Sequence, residues 1–381
     1  MRIIAAPQEY KGTLTAREAA EAMTEGARRA VPEATIEPVP LSDGGPGLVE
    51  AILSSASGRV MLTPVADPLE RIIEARRAVL EDGTAVIESA AAAGLILLGD
   101  DERDPRATST YGVGQLMLAA FEERCEHIIV GLGGSSTNDG GAGMGAALGA
   151  RFVDASGEAL PPGGAALARL DHVDISGLDP RIAEARVVAA ADVTNPLCGP
   201  EGASLVYGPQ KGASPEVAAE LDAALRRYAD ILERDIGVSV LATPGAGAAG
   251  GLGAGLIAFA HAEVRPGFEV VAGAMRLRER IAGADLLLTG EGRLDRQSGY
   301  GKATLGIARM AAECGVPVLV VPGALGPGWE AILPYADGVE PIVGSTATEK
   351  EAVARPAAML ALAVERAVRG WMSAKGISDE S

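Results

Sequence analysis

Short apolar runs that end abruptly at glycine-rich turns recur along this chain, and that pattern limits what it can build. Residues 3–6 form one such run, closed by Pro7. Residues 36–40 alternate like a strand and deliver Asp43-Gly44-Gly45-Pro46-Gly47. Residues 128–131 open onto Gly133, 187–191 onto Asp192, and 284–288 onto Thr289-Gly290-Glu291. Residues 318–321 are continuous, rich in valine and closed by Pro322-Gly323, as a parallel strand buried on both faces should be. Helical patterns follow the turns. Ala16–Ala30 is preceded by Thr15, with Glu18 three residues on as a capping box, and is stopped by Pro32. Others start near Leu48 and cover about 112–125, 215–234 and 301–314. Strand, turn and helix in this order specify an α/β protein.

At 381 residues, two domains are expected. The stretch 60–88 departs from the simple repeat, with short strand-like runs between turns at Asp67-Pro68 and Asp82-Gly83. Residues 154–180 read as loop, and plain α/β patterning returns near Arg280. No glycine/serine linker divides these blocks, so one domain is read as inserted into another.

Composition removes several functions. The net charge of -18 leaves no basic surface for nonspecific nucleic-acid binding, and 3% aromatic residues give few bases a stacking platform. No uncharged apolar run is long enough to span a bilayer, and residues 1–7 do not read as a signal peptide. Cys125, Cys198 and Cys314 show neither metal-ligand nor disulfide spacing, which fits a reducing cytoplasm. An anionic substrate must therefore be met by local cations, backbone N–H groups or a metal.

The turns carry the candidate chemistry. The block 131–144 follows a strand and precedes an apolar helix, and its glycines let backbone N–H groups converge on a phosphate. Gly133, Gly134, Ser135, Ser136 and Asn138 are the candidates for that cradle. Asp139 fits an anion pocket only beside a metal or a hydroxyl. There is no Gly-Lys-Ser/Thr and no dinucleotide fingerprint, so a P-loop enzyme and a nicotinamide dehydrogenase are poorly supported. Asp192, just past a strand, suits a base or a magnesium-holding group for phosphoryl transfer to a hydroxyl; an Asx-turn is the competing reading. Lys211, in Gly208-Pro209-Gln210-Lys211-Gly212, is either a phosphate contact or an ordinary exposed lysine. Glu291, Arg293 and Asp295 mix charges in one turn ahead of Lys302, which suits a metal-bound nucleotide. Lys11 and Asp43 lie just past the first two strands. His127, His172 and His261 have no partner at metal spacing.

Together these residues resemble the bacterial glycerate kinase family. The likeness runs nearly end to end. It rests on Ala6-Pro7 with Lys11-Gly12, Asp43-Gly44-Gly45, the 131–144 block and Asp192-Val193-Thr194-Asn195-Pro196-Leu197. It rests also on 208–212, 244–255, 289–295 and Gly301-Lys302. The resemblance implies a Rossmann-like parallel-sheet domain made by both chain ends, residues 1–63 and 276–381, with a second α/β domain inserted at 64–275. It implies ATP and Mg2+, D-glycerate as acceptor, 2-phosphoglycerate as product, and an active site in the cleft between domains. Asp192 and Lys11 are then the catalytic candidates, with Asp192 also the metal candidate. Gln8, Glu9, Asp43 and Arg293 are candidates for the substrate, and the glycine cradle with Glu291 and Lys302 for the nucleotide. Expected partners are ATP and a small hydroxy acid, with homo-oligomerisation open and neither nucleic acid nor membrane involved.

The departures fall in the two N-terminal loops. The family usually reads Ala-Pro-Asp-Ser-Phe-Lys-Gly-Ser, where this chain has Gln8, Glu9 and Tyr10. Where the family has Asp-Gly-Gly-Glu-Gly-Thr, this chain has Pro46 and Leu48. Glu9 would repel a carboxylate unless neutralised. Two alternatives follow: a kinase for another hydroxy acid or a polyol, and a non-catalytic homologue that binds nucleotide or a sugar acid.

Overall fold

The computed structural model describes residues 1–296 and 303–376. The chain forms two compact units. The first contains residues 1–43, 50–55 and 268 onward; the second contains 44–49 and 56–267.

The first unit is built on a five-stranded sheet in the order Gly338–Val339, Val318–Val320, Leu286–Thr289, Arg2–Ala5, Thr35–Pro38. Every pairing is parallel. That explains the continuous apolar runs: Ile3, Leu286, Leu288 and Val318 are buried beneath helices. Ala16–Ala30 supplies Met23 and Ala27 to that core, and Pro356–Lys375 supplies Leu360 and Val364. The Thr15–Glu18 capping box is present at the first helix.

The second unit carries a six-stranded sheet in the order Glu263–Arg265, Arg186–Ala190, His127–Gly131, Thr84–Glu88, Ile72–Leu80, Gly58–Ala66. The first four strands run parallel and the last two antiparallel. Residues 58–63, which the sequence groups with the first domain, lie in the edge strand of this sheet and pair with 75–80. Their exposed alternation gave no signal of that pairing, because register is set by a partner strand. Residues 154–180 are not all loop: Arg151–Val153 pairs with His172–Asp174, and Gly164–Arg169 forms a 3-10 turn. Phe259, Tyr228, Leu116 and Ile128 fill the core.

Candidate active site

In the first unit the turn after Leu286–Thr289 is clamped to the N-terminal loop by backbone. Gln8 N–H donates to Gly290 O at 2.9 Å and Gly292 N–H to Glu9 O at 3.4 Å. A Cβ on Gly290 would stand 2.3 Å from Val321 O, and one on Gly292 would stand 3.0 Å from Lys11 N. The Gly-Glu-Gly spelling thus reflects close backbone approach. Tyr10 is buried and its hydroxyl donates to Val321 O. Burial pushes its phenol well above the usual range, with Glu291 adding to the effect.

These loops line a cavity of about 400 Å³. Its polar side holds Glu9, Lys11, Asp43, Glu291, Arg293 and Asp295, and Ile342, Val343 and Val353 form an apolar wall. Gln8 also lines it, although that side chain is buried and meets Thr304 Oγ1 at 3.5 Å. Glu9 is exposed as a residue. Partial burial of its carboxyl nevertheless raises its pKa; Lys11 works against the rise and Asp43 adds to it. Arg293 lies 3.7 Å from Asp295, an ion pair at the surface. The turn is also not pure loop, because Arg293–Leu294 pairs with Ala324–Leu325. The structure therefore brings together Gln8, Glu9, Lys11, Asp43, Glu291 and Arg293. Lys302 lies outside the described residues.

In the second unit, Gly131 pairs with Ala190 on the neighbouring parallel strand, and the ladder extends to Leu132 N–H donating to Ala190 O at 2.9 Å. Gly133 and Asp192 thus leave adjacent strand ends, where ligand sites of parallel sheets lie. Asp192 reaches outside its own turn. Its Oδ1 accepts from Gly267 N–H at 2.7 Å, a residue far along the chain.

The side chains of the glycine block turn inward. Ser135, Ser136, Asn138 and Asp139 are buried, whereas Gly134 is exposed and Gly133 half-buried. Ser136 Oγ donates to Ala93 O, Ser135 Oγ pairs with Thr137 Oγ1 at 2.8 Å, and Asn138 Nδ2 donates to Ser204 Oγ at 2.9 Å. Ser135, Ser136 and Asn138, expected around phosphate, thus spend these groups bracing the loop. Its open edge is 133–134, beside Pro46: a Cβ on Gly134 would meet Pro46 Cγ at 3.1 Å. Asn138 Oδ1 is buried with no hydrogen-bond partner among the described residues, a polar atom that calls for an explanation.

Asp139 needs neither a metal nor a substrate hydroxyl to account for it. It accepts from Thr110 N–H and Oγ–H, Gly141 N–H and Gly143 N–H. Burial raises its pKa, against the lowering effect of these donors. The Thr108-Ser109-Thr110 run behind it is fully buried and was not singled out from sequence. Its one signal is hydroxyl residues just ahead of the helix Tyr111–Glu122, where a cap would sit. Lys211, one reading of which was an ordinary exposed lysine, is buried and donates to Thr137 O at 2.6 Å. Among the histidines, His172 Nδ1 lies 2.8 Å from Asp235.

Among the described residues no group of three His, Cys, Asp or Glu gathers to hold a metal. None of their helices is long and apolar enough to cross a membrane.

Comparison with known proteins gives the same direction from several sides. The model of the glycerate kinase family matches residues 3–372. The chain is 46% identical over 334 residues to a glycerate kinase of Halalkalibacterium halodurans, covering 87% of this chain and 88% of that one. It is 46% identical over 326 residues to the glycerate 2-kinase of Escherichia coli, covering 85% and 86%. A crystal structure of a candidate glycerate kinase 2 from Salmonella typhimurium superposes with a TM-score of 0.85 at 41% identity, covering 99% of this chain and 100% of that one. The chain belongs to the glycerate kinase family.

Proposed function

We propose that this chain transfers the γ-phosphoryl group of ATP to the 2-hydroxyl of D-glycerate, giving 2-phosphoglycerate. The observation that carries the proposal is the adjacency of Asp192 and the Gly133–Gly134 edge at neighbouring parallel strand ends. Family membership supplies the reaction class and its alcohol acceptor. The backbone at 133–134 contacts phosphate. Asp192 accepts the hydroxyl proton or holds the metal. Lys11, Arg293 and Glu291 serve acceptor and nucleotide. Magnesium in such reactions travels on the phosphates and takes one or two carboxylates from the protein, so Asp192 suffices in the second unit. It would neutralise the charge that develops on the transferred group. Three thiols, two of them buried and all unpaired, support a cytoplasmic setting.

Asp192→Asn tests the assignment. ADP release should fall by at least about 100-fold at saturating substrates, the scale of a lost acid–base group. Phosphorus NMR should place the phosphate of the wild-type product on the 2-position. Turnover retained in the variant would sink the role of Asp192, and a 3-phosphate would sink the regiochemistry.

A second reading has its own observation. Glu9, Asp43, Glu291, Asp295 and Glu349 line one cavity in which, among the described residues, Lys11 and Arg293 are the cations, which disfavours a carboxylate acceptor there. On this reading the acceptor is an uncharged polyol, or a hydroxy acid whose carboxylate lies away from this cavity. Turnover across glycerate, tartronate, erythronate and uncharged polyols decides it, and selective use of D-glycerate removes it.

A further inference from the structure

Lys211 is a lysine buried against the cost of desolvating its charge, offset in part by Asp139. It is 2% exposed, and its Nζ makes one hydrogen bond, to Thr137 O at 2.6 Å. No other donor reaches that carbonyl among the described residues. The chain is poor in lysine: Lys11, Lys211, Lys302, Lys350 and Lys375 are the only five among 33 basic residues. Arginine supplies the rest, yet a guanidinium presents five N–H groups in a fixed plane and could not be satisfied by one carbonyl. A compact ammonium has three donors and leaves fewer of them without an acceptor.

Two residues beyond Thr137, the buried Asp139 carboxylate gathers the N–H groups of Thr110, Gly141 and Gly143. Residues 137–139 are therefore held between an internal cation and an internal anion. Asp139 is the charged group whose field reaches the ammonium; Tyr228, whose hydroxyl donates to Gly140 O, is neutral in this range. No salt bridge neutralises Lys211 directly among the described residues. Its Nζ thus holds a carbonyl of the same loop whose open edge is 133–134.

We propose that Lys211 is a positioning residue for nucleotide: it pins the Thr137 carbonyl, holds the 133–136 turn in its phosphate-receiving shape, and offsets the Asp139 charge behind that turn. The proposal rests on the reading of this turn as the phosphate site. Burial also draws the Lys211 pKa down to about 7, with Asp139 pulling it back up. The internal charge therefore titrates near neutrality, which gives the role a signature that packing alone would lack.

The full-length enzyme is assayed for kcat and for KM toward magnesium-ATP between pH 6 and 9, as wild type, Lys211→Met and Lys211→Gln. The wild-type KM for ATP should rise as pH passes about 7. The variants should start about tenfold higher, stay flat with pH, and change kcat much less. A variant with wild-type KM and the wild-type pH profile overturns the proposal. Should neither variant fold, the wild type alone decides: with lysine labelled at Cε, the Lys211 resonance and the ATP dissociation constant should titrate together. Titration of the resonance without a change in affinity overturns the proposal. Amide hydrogen exchange separates the two layers. Nucleotide protection of 133–136 in the wild type, with unaltered KM in the variants, removes only the role of Lys211. Absence of that protection removes the phosphate-turn reading and this proposal with it.

Discussion

Two glycines of the second unit share a backbone conformation and differ in what surrounds them, which makes their alanine variants a controlled experiment. Gly237 ends the helix Pro215–Ile236 at φ +70°, and a Cβ there would meet nothing within 4 Å. Gly250 has φ +71°, and a Cβ there would stand 1.9 Å from Thr137 O and 2.9 Å from Asn138 Cα. Both substitutions incur the left-handed penalty of about 1 kcal/mol or slightly more. Only Gly250→Ala adds overlap with backbone, which cannot rotate away as a side-chain tip would. Overpacking adds roughly 1–3 kcal/mol, and this contact belongs at the upper end. Gly237→Ala should therefore cost about 1 kcal/mol and Gly250→Ala about 3–4 kcal/mol. Trp329 and Trp371 both lie in the other unit, so their fluorescence reports on the wrong region. Hydrogen exchange of the central strand His127–Gly131 is the suitable assay. Its slowest amides should exchange roughly fivefold faster in Gly237→Ala and about 100- to 1,000-fold faster in Gly250→Ala. Equal acceleration would refute the reasoning, since it would mean that the close approach to Thr137 costs nothing.

The remaining predictions concern charge. Glu9 has a raised pKa, so it stays neutral to higher pH than an ordinary glutamate. Its repulsion of an acidic acceptor therefore appears as pH rises through that pKa, and the wild-type KM for glycerate should climb over the same interval. Glu9→Ser should abolish the climb and lower the KM at pH 8 by roughly threefold to tenfold, as expected for one screened charge; an unchanged pH profile in steady-state assays would dissociate Glu9 from the acceptor. Lys211 has a folded pKa of about 7 against an ordinary 10.5, so between these values the unfolded chain binds the extra proton. The stability of the wild type relative to Lys211→Met should consequently grow with pH from about 7 to 10, by up to about 1.4 kcal/mol per unit. Denaturant unfolding at fixed ionic strength measures it, and a constant difference would contradict the assigned burial of charge.

What could be read from the residues was what the residues decide locally. The Thr15–Glu18 box starts its helix because both partners lie within one turn. Residues 318–321 read as a buried parallel strand because burial on both faces leaves no polar alternation, and Val318–Val320 lies inside the five-stranded sheet. Nonlocal matters were hidden. Residues 58–63 join a sheet through a partner strand that follows them, and no feature of their own states it. The glycine block 245–255 shows the ambiguity most sharply. Glycine admits close backbone approach to a ligand or to the protein itself, and a sequence spells both alike. Here 248–260 is kinked, with Ala249, Gly250 and Gly251 outside helical geometry, so that Gly250 sits on Thr137 O and Gly255, in the helix beyond, on Gly141.

The two aspartates past strand ends make the same point about chemistry. Asp139 and Asp192 both follow parallel strands and both border glycine turns, so residue type cannot rank them. Geometry does. Asp139 is enclosed, with four donor groups converging on its carboxylate, and that satisfies it as an internal brace. Asp192 is half-buried, and one of its oxygens is fixed by Gly267 N–H. Its other oxygen is also buried, so the carboxylate is held in a fixed orientation at the strand end, as a base or metal-holding group requires. The same logic separates the lysines. Lys11, on the exposed loop, lines the cavity of the first unit, whereas Lys211 acts through the carbonyl it pins. A motif therefore identifies which residues belong to a site, and burial with its partners decides which of them can touch the substrate.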